Sequence, residues 1–550
     1  MRSYGWRPQA TRAAAPAAAR AAVRDSAIRI APAAAHTAFS RAALLGSVWL
    51  GALAILAPNT ARAVDGTWLG GTPPFPDEWT QGTNWNSTPT PNTVPDDIAT
   101  FANSANTLVT ISSSASINTI QFTAAAPAYS FTINPFLTFS INGAGISNSS
   151  AFAPSFANNA GLMFFNSGTA ANAAITNNGG ISFLGSSSAG SSTIINSGFG
   201  SLIAFSDTST AGNATITTNG GAQTLFSGSS DGGTARFITN AGGIVNFSGS
   251  SGPLGDGNIS AGSIEGAGTY KLGTNRLIVG SNNLSTTVSG SIQDGGSNGS
   301  FTKTGAGTLT LTGTLNIQGD LSLCNCQTGE LVISGGSATV GSFVEVDGGT
   351  LAVTNGGTLQ TVDILAAANI SVSGAGSTVT ATGVTAVGFL APGSITIADG
   401  AVFNSQGGVE IDTLLVELGT PSVLVTGPGS TWNVGGPAFF VGGGSTEGPG
   451  MLTVAAGGTV NATAPMFIGD VTGASTVTVT GAGSVLNALN SLTIGGDNGC
   501  GCNLVGTLTI ADGGVVNSPN PTSIAASSTL SLGIGGLAGA INAPAIANDG

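Results

Sequence analysis

The chain has 550 residues, of which 86 are glycine, 41% are hydrophobic and only 7% are Asp, Glu, Lys or Arg. Roughly a quarter of the residues in an average soluble domain are charged. The composition excludes collagen, because the glycines follow no strict triplet, and it excludes a highly charged disordered chain. It also excludes an ordinary helical domain, since strong helix formers are scarce.

The charges are distributed unevenly. Eight of the 12 basic residues precede position 63, and from Val64 onward four basic residues face 24 acidic ones, a net charge of −20. These four are Arg236, Lys271, Arg276 and Lys303. With no basic patch to neutralise phosphates, this part of the chain is not expected to bind nucleic acid.

Residues 1–63 have the three parts of a secretory signal. An arginine-bearing stretch precedes the apolar run 42–57, and Ala61-Arg62-Ala63 supplies a small-x-small cleavage site. We predict cleavage between Ala63 and Val64. An uncleaved anchor is the main alternative, although the run is shorter than the roughly 20 residues that span a bilayer. The unusual length fits a long export leader, a start codon placed too early or a transit peptide.

Cleavage would remove His36, the only histidine in the chain. The mature chain would then lack the histidine that Ser-His-Asp hydrolysis, Cys-His proteolysis and histidine-ligated zinc require. The next segment, 64–140, is predicted to contain an N-terminal cap, in the Pro- and Trp-rich residues 64–101, and the first coils of a repeat.

Segment 141–298 repeats with a period near 21 residues. Its landmarks are Phe164, Phe183, Phe205, Phe226 and Phe247, followed eleven residues after the first four by Ile175, Ile194, Ile216 and Phe237. This period is too short for a pair of packed helices or a propeller blade, but it fits one coil of a parallel β-helix. We therefore expect these residues to be core, with the phenylalanines stacked between coils about 4.8 Å apart.

Several of these units close near an Asn and a Gly, as at Asn178-Gly179, Asn219-Gly220 and Asn240 with Gly242. Stacked asparagines form amide ladders, so we expect such a ladder at the corner. We also expect the glycines to supply the positive φ of a tight corner.

Segment 299–520 repeats a different sequence, and its repeat unit is longer. Strings such as 370–377, 423–430 and 477–484 recur at 53 and 54 residues, and apolar residues alternate with Thr or Ser as in a strand with one buried face. Residues 521–550 are interpreted as a terminal coil or a truncated end. At roughly 21 to 27 residues per coil, about 20 coils would form a rod roughly 100 Å long.

Part of this text is similar to a known family. Residues Gly299 to Gly313 resemble the autotransporter-associated β-strand repeat, and the 54-residue units resemble the repeat shared by type V secretion passengers and PEP-CTERM proteins. Gly66-Thr-Trp68, Asn84-Trp85, 97–101 and 117–122 resemble the start of many autotransporter passengers. The resemblance implies a right-handed parallel β-helix at the cell surface, in the outer membrane or outside a Gram-negative bacterium.

The resemblance also implies a partner, an outer-membrane translocator barrel, which the family carries at its C-terminus. Repeat-like text continues to about residue 520, leaving no room for a barrel, and the chain has no Val-Pro-Glu-Pro sorting tail. We interpret the chain as a passenger without its transporter. A fragment, a truncated product and a different export route stay open.

Cys324, Cys326, Cys500 and Cys502 form two Cys-x-Cys pairs, each between predicted strands. An even number of cysteines in an exported chain suggests disulfides, so we predict a local disulfide in each pair. Redox activity and metal binding are the alternatives, and four free thiols in the exported protein would reject the disulfides.

Two other features could form sites. Gly495-Gly-Asp-Asn-Gly499 is similar to a calcium-binding nonapeptide turn, but it does not recur, so a glycine corner is the simpler interpretation. The adjacent carboxylates Asp77-Glu78 and Asp96-Asp97 could hydrolyse glycosides, but they lie in the predicted cap and suggest a solvated surface.

The sequence thus predicts an all-β, non-catalytic, adhesin-like or structural rod that uses no cofactor or metal. Its Ser/Thr/Asn-rich faces are expected to contact surface carbohydrate or a host or neighbouring cell. The alternative is a β-helical polysaccharide lyase or hydrolase. A groove with three or more clustered carboxylates on adjacent coils would favour the enzyme, and a smooth Ser/Thr/Asn face would favour the rod.

Overall fold

The protein is a parallel β-solenoid of about 19 turns, here called coils. The computed structural model describes residues 63–323, 329–388, 391–413, 419–443, 448–496, 503–533 and 536–549. These residues form 54 strands and one short 3-10 helix, Gly82–Asn84. The prediction of an all-β parallel β-helix is confirmed.

The strands belong to four sheets, named A to D in the order in which they begin. Sheet A contains Asp65–Trp68, Trp85–Thr88, Ile98–Phe101, Ala115–Phe122, Thr138–Asn148, Gly161–Phe164, Gly180–Phe183, Leu202–Phe205, Gln223–Gly228, Ile244–Ser250, Thr269–Lys271, Ser291–Gln293, Thr314–Ile317, Ser337–Val340, Thr358–Thr361, Thr378–Ala381, Val402–Ser405, Thr431–Val434, Thr459–Ala462, Val485–Ala488, Val515–Asn517 and Ala540–Asn542. Sheet B contains Leu108–Ile111, Ser130–Ile133, Ser155–Asn158, Ala174–Asn177, Thr193–Asn196, Thr215–Thr218, Arg236–Thr239 and Ser263–Glu265.

The other two sheets build the C-terminal half. Sheet C contains Asn258–Ala261, Arg276–Val279, Ser300–Lys303, Leu321–Leu323, Phe343–Val346, Asp363–Ala366, Thr385–Val387, Val409–Ile411, Phe439–Val441, Met466–Ile468, Leu492–Ile494, Thr522–Ile524 and Ile546–Asn548. Sheet D contains Thr286–Val288, Thr308–Leu311, Glu330–Ser334, Thr350–Thr354, Asn369–Ser373, Ser394–Ala398, Ser422–Thr426, Met451–Ala455, Ser475–Thr480, Gly506–Ala511 and Thr529–Leu532. Sheet A faces sheet B in the N-terminal half, and each later coil runs through sheets C, D and A in turn.

The core is a set of vertical columns, because equivalent residues of successive coils pair in register. The rings of Phe164, Phe183, Phe205, Phe226 and Phe247 are buried and stacked, with centroids 4.8 to 4.9 Å apart. The column of Ile175, Ile194, Ile216 and Phe237 is buried in sheet B. The predicted phenylalanine stack is confirmed.

An asparagine ladder also forms, one residue earlier than the corner sequences suggested. Asn158 Nδ2 donates to Asn177 Oδ1 at 2.7 Å, and Asn177 Nδ2 donates to Asn196 Oδ1 at 2.8 Å, with all three side chains fully buried. The predicted corner asparagines also pair: Asn178 donates to Asn159 at 3.0 Å, and Asn240 donates to Asn219 at 2.6 Å. The amides therefore form one ladder inside the coil and hydrogen-bonded pairs outside it.

The predicted reason for the corner glycines is wrong at two of three positions. Gly242 has a positive φ of 77°, but Gly179 and Gly220 do not. A Cβ on Gly179 would overlap the carbonyl oxygen of Ala160 in the preceding coil, and one on Gly220 would lie 2.8 Å from the carbonyl oxygen of Ala241. Close approach between coils, rather than backbone conformation, requires these two glycines.

Three tryptophans lie at the first turn of the solenoid. Asp65–Trp68 pairs antiparallel with Trp85–Thr88 and parallel with Ile98–Phe101. The indoles of Trp68, Trp79 and Trp85 are buried, and all three contact the ring of Phe101. This antiparallel pair and its aromatic cluster cover the start of the parallel ladder.

The four basic residues after position 63 all lie where sheet B gives way to sheets C and D. Arg236 pairs with Glu265 at 2.6 Å, and Arg276 pairs with Asp320 at 3.4 Å. Lys271 ends a strand of sheet A, and Lys303 points into the core. Two of these cations are ion-paired and Lys303 is buried, so the four form no patch for an anionic partner.

Lys303 occupies the core column of sheet C between Val279 and Leu323 and is only 3% exposed. Its Nζ donates to the carbonyl oxygens of Thr304 at 2.7 Å and Gly305 at 3.1 Å. Burial lowers the pKa of Lys303 to about 8. The ammonium thus donates hydrogen bonds to backbone carbonyls at the corner, but its burial removes it from water, which destabilises its charged form.

Replacing Lys303 with Met should remove a pH dependence of stability. An unfolded lysine titrates near pH 10.4, so between about pH 8 and 10.4 only the unfolded chain keeps the proton. The free energy of unfolding of the wild type therefore rises by about 3 kcal/mol as the pH increases across this window. We expect Lys303→Met to show no such gain in urea unfolding across this window. Lys271→Met, at the half-buried end of a sheet A strand, is the control, and equal slopes for both variants would contradict the assignment.

Candidate functional site

The outward faces of sheets A and D are built mainly of small polar residues. On sheet A, six asparagines form an outer ladder in which each Nδ2 donates to the preceding Oδ1 at 2.7 to 2.9 Å. The members of this outer ladder are Asn404, Asn433, Asn461, Asn487, Asn517 and Asn542. On sheet D, Thr478 and Thr509 pair in register, as do Thr476 and Thr507.

The outer ladder leaves hydrogen-bonding capacity free. A carboxamide has two N–H donors and two acceptor lone pairs, and a ladder contact uses one of each. An inner member such as Asn461 or Asn487 therefore presents one donor and one acceptor to solvent. These groups repeat once per coil, at intervals of about 4.8 Å.

The side of sheet C that points away from the core has a different chemistry. Residues in register on seven adjacent coils form one column: Ser322, Glu345, Leu365, Ala386, Glu410, Phe440 and Phe467. Four of them, Ser322, Leu365, Ala386 and Glu410, are buried, so only part of this column reaches the surface. The rings of Phe440 and Phe467 stack with centroids 5.2 Å apart. Sheet C therefore carries the carboxylates and aromatic rings that a specific site would need.

Four carboxylates lie on three adjacent coils of sheet C, and we name Asp320, Glu345, Asp347 and Asp363 the acidic group. Asp320 is ion-paired to Arg276, and Asp363 accepts the Val384 N–H at 2.7 Å. Burial raises the pKa of Glu345, and the nearby charges of Asp347 and Asp320 add to this, while Arg276 opposes it. Burial alone raises the pKa of Asp347.

The acidic group has one feature of a glycoside-cleaving site. Glu345 and Asp347 are alternate residues, so their Cα atoms lie roughly 7 Å apart along the backbone. Glycosidases use two carboxyl groups across the scissile bond, one of which has a raised pKa and acts as the acid. However, the nearest cation, Arg276, is committed to Asp320. Among the described residues, no group of His, Cys, Asp or Glu could hold a metal ion.

The carboxylates predicted from the sequence serve the first turns of the solenoid. Asp77 accepts a hydrogen bond from the Thr110 hydroxyl at 2.6 Å, and Glu78 accepts one from Thr80 at 2.7 Å. Asp96 accepts the Val64 N–H at 2.7 Å, and Asp97 accepts one from Asn118 at 3.1 Å. These four side chains bind neighbouring segments of the fold.

Several predicted features lie outside the described residues. All four cysteines, Cys324, Cys326, Cys500 and Cys502, fall in segments that the structure does not describe, and so does most of the predicted signal. At the predicted cleavage point, the N–H of Val64 donates to Asp96 Oδ1 at 2.7 Å. Of the segment that is similar to a calcium-binding turn, only Gly495 and Gly496 are described, with φ of 70° and 91°.

The acidic group was missed by the sequence analysis, although a signal was present. Residues 343–347 read Phe-Val-Glu-Val-Asp, which alternates apolar and acidic side chains. A strand with Val344 and Val346 in the core must turn Glu345 and Asp347 outward. Asp320 joins the acidic group because the preceding coil pairs in register with residues 343–346. The local alternation of residues does not show this register.

Comparison with known proteins finds one similar solved structure and no matching family or curated protein. A scan against protein-family models finds no match, and a search of curated proteins finds none either. Among solved structures, the chain is similar to a TibC-catalysed hyper-glycosylated fragment of TibA, with 18% identity and a TM-score of 0.27, covering 64% of this chain and 97% of that one. Within the described residues, no helix has the length and apolarity needed to cross a membrane.

Proposed function

We propose that this chain is a non-catalytic, autotransporter-like passenger, exported through an outer-membrane translocator barrel and displayed as an adhesive or structural rod. The observation that carries the proposal is the array of outward amides and hydroxyls that repeats coil by coil along sheets A and D. A stiff rod presents this array away from the cell. The partner class is surface carbohydrate on a host or neighbouring cell.

The array suits an uncharged polysaccharide for two reasons. Sugar hydroxyls both donate and accept hydrogen bonds, and each coil presents both types of group. The net charge of −20 after residue 63 repels acidic polysaccharides, in contrast, at distances within the Debye length. Each contact is weak, and many act together, so affinity should rise with the length of the glycan.

The test measures binding of the purified protein to a neutral galactomannan and to alginate. We expect binding to the neutral polymer that strengthens with chain length, and much weaker binding to alginate at low salt. The triple variant Asn433→Ala, Asn461→Ala, Asn487→Ala should weaken binding several-fold, whereas Thr176→Ala on sheet B should not. Failure to bind any neutral polymer would refute the carbohydrate proposal.

A polysaccharide-cleaving enzyme is the second candidate, because the acidic group places four carboxylates on three adjacent coils, which is one part of the condition for an enzyme. Under this alternative, the protein should release reducing ends from a polysaccharide, with Glu345→Gln or Asp347→Asn lowering the rate at least 100-fold, the low end for an acid–base group. Asp363→Asn, whose carboxylate accepts a backbone N–H, is the matched variant. We expect no release from any of these proteins, and release sensitive to Glu345 would overturn the non-catalytic proposal.

A further inference from the structure

A long part of the rod carries no charge. From Ile98 to Ser206 the chain contains no Asp, Glu, Lys, Arg or His. This uncharged zone covers the coils from strand Ile98–Phe101 to strand Leu202–Phe205 of sheet A. Nineteen of the 24 acidic residues after position 63 follow it, so charge repulsion between two rods is weakest here.

Two phenylalanines in the uncharged zone are almost fully exposed. Phe136 is 102% exposed and Phe199 is 98% exposed, unlike the buried phenylalanines of the core stack. Exposed apolar residues are common on proteins, but complete exposure of a phenyl ring loses the whole benefit of burying it. Burial of both rings against a partner would recover that benefit.

Both rings lie at the same corner of the solenoid. Phe136 follows strand Ser130–Ile133 of sheet B and precedes Thr138–Asn148 of sheet A, and Phe199 lies between Thr193–Asn196 and Leu202–Phe205 in the same way. The strands before them are three coils apart in the sheet B ladder, so the rings are separated by roughly 14 Å along the rod.

The corners between the two phenylalanines contain two residues each. They are formed by the short connections 159–160 and 178–179, where Asn178 donates to Asn159 at 3.0 Å. No long side chain protrudes between the rings, and no charge must be desolvated. The two rings therefore flank a neutral, polar strip two coils wide.

We infer that this corner binds a second copy of the chain, forming a two-fold dimer of antiparallel rods. In an isologous interface, residue i contacts residue j and j contacts i. A two-fold axis midway between the rings places Phe136 against Phe199 of the second copy and Phe199 against its Phe136. The antiparallel arrangement also directs the acidic C-terminal halves of the two rods away from each other.

This arrangement predicts how salt changes the association. The contact is apolar, and the charges beyond the uncharged zone repel, so screening should favour the dimer. An interface held by ion pairs would respond in the opposite way. The self-association does not depend on whether the rod binds carbohydrate.

The experiment measures sedimentation of the purified protein as a function of concentration and salt. We expect a reversible dimer that tightens on raising NaCl from about 0.01 to 0.15 M, where the Debye length falls from about 30 to 8 Å. Phe136→Ser with Phe199→Ser should give a monomer with an unchanged circular dichroism spectrum. Leu254→Ser, 86% exposed but outside the uncharged zone, should leave the dimer intact. A protein that is monomeric throughout, or a dimer that survives the double variant, would overturn the inference.

Cross-linking tests the pairing of the rings. In a chain with its four cysteines replaced by serine, the Phe136→Cys variant mixed with the Phe199→Cys variant should form a disulfide-linked dimer on oxidation. Each variant alone should form little, because identical positions lie roughly 14 Å apart across the axis. Equal cross-linking of Phe136→Cys with itself would refute the antiparallel arrangement.

Discussion

Phe205→Ala should lower the free energy of unfolding by about 3 to 5 kcal/mol, the usual cost of removing a buried phenyl ring. Phe205 is fully buried, and its ring stacks on Phe183 and Phe226 at 4.8 Å on both sides. The loss therefore includes two aromatic contacts as well as the cavity. Neighbouring coils cannot collapse into the space, because hydrogen bonds between strands hold their spacing.

The measurement is urea unfolding followed by circular dichroism, combined with amide hydrogen exchange. Stability in a solenoid is a sum of local interfaces, so the loss of protection should concentrate in the coils next to Phe205. Leu202→Ala is the matched control, because Leu202 begins the same strand but faces outward. A loss for Phe205→Ala no greater than that for Leu202→Ala would contradict the columnar core.

Gly313→Ala should destabilise the protein by several kcal/mol, through overlap rather than through a cavity. A Cβ at this position would overlap the carbonyl oxygen of Gly290, and one on Gly290 would overlap that of Gly268 in the same way. These atoms are backbone and cannot move without breaking the ladder at this corner. Overpacking in a well-packed region typically costs about 1 to 3 kcal/mol, and an immovable backbone atom places Gly313→Ala at or above the upper end.

Gly180→Ala is the control for this second variant. Its φ is not positive, and the nearest atom to an added Cβ, the carbonyl oxygen of Ala160, would be 3.9 Å away. Alanine should therefore fit there, with a change in unfolding free energy within about 0.5 kcal/mol, as for ordinary surface substitutions. Similar losses for the two variants in thermal unfolding would show that coil spacing does not decide which glycines are required.

The candidate site was harder to predict than the core. The alternation in Phe-Val-Glu-Val-Asp shows which side chains face outward, so Glu345 and Asp347 were within reach of sequence reasoning. Their raised pKa values were not, because burial and the nearby charge of Asp320 depend on the neighbouring coils. Sequence reasoning could not identify the exposed corner either, because Phe136 and Phe199 look like core phenylalanines in the sequence.

The sequence alone determined the all-β class, the coil and the phenylalanine column. Equivalent residues recur at a nearly constant spacing, one set per coil, and stacked coils bring equivalent residues into contact. It also indicated the absence of a basic patch. Only the tertiary structure decided which asparagines form the inner and outer ladders, why Gly179 and Gly220 are required, and which carboxylates share a face. Those features depend on the register and the close approach of neighbouring coils, distances that the spacing of residues along one chain does not contain.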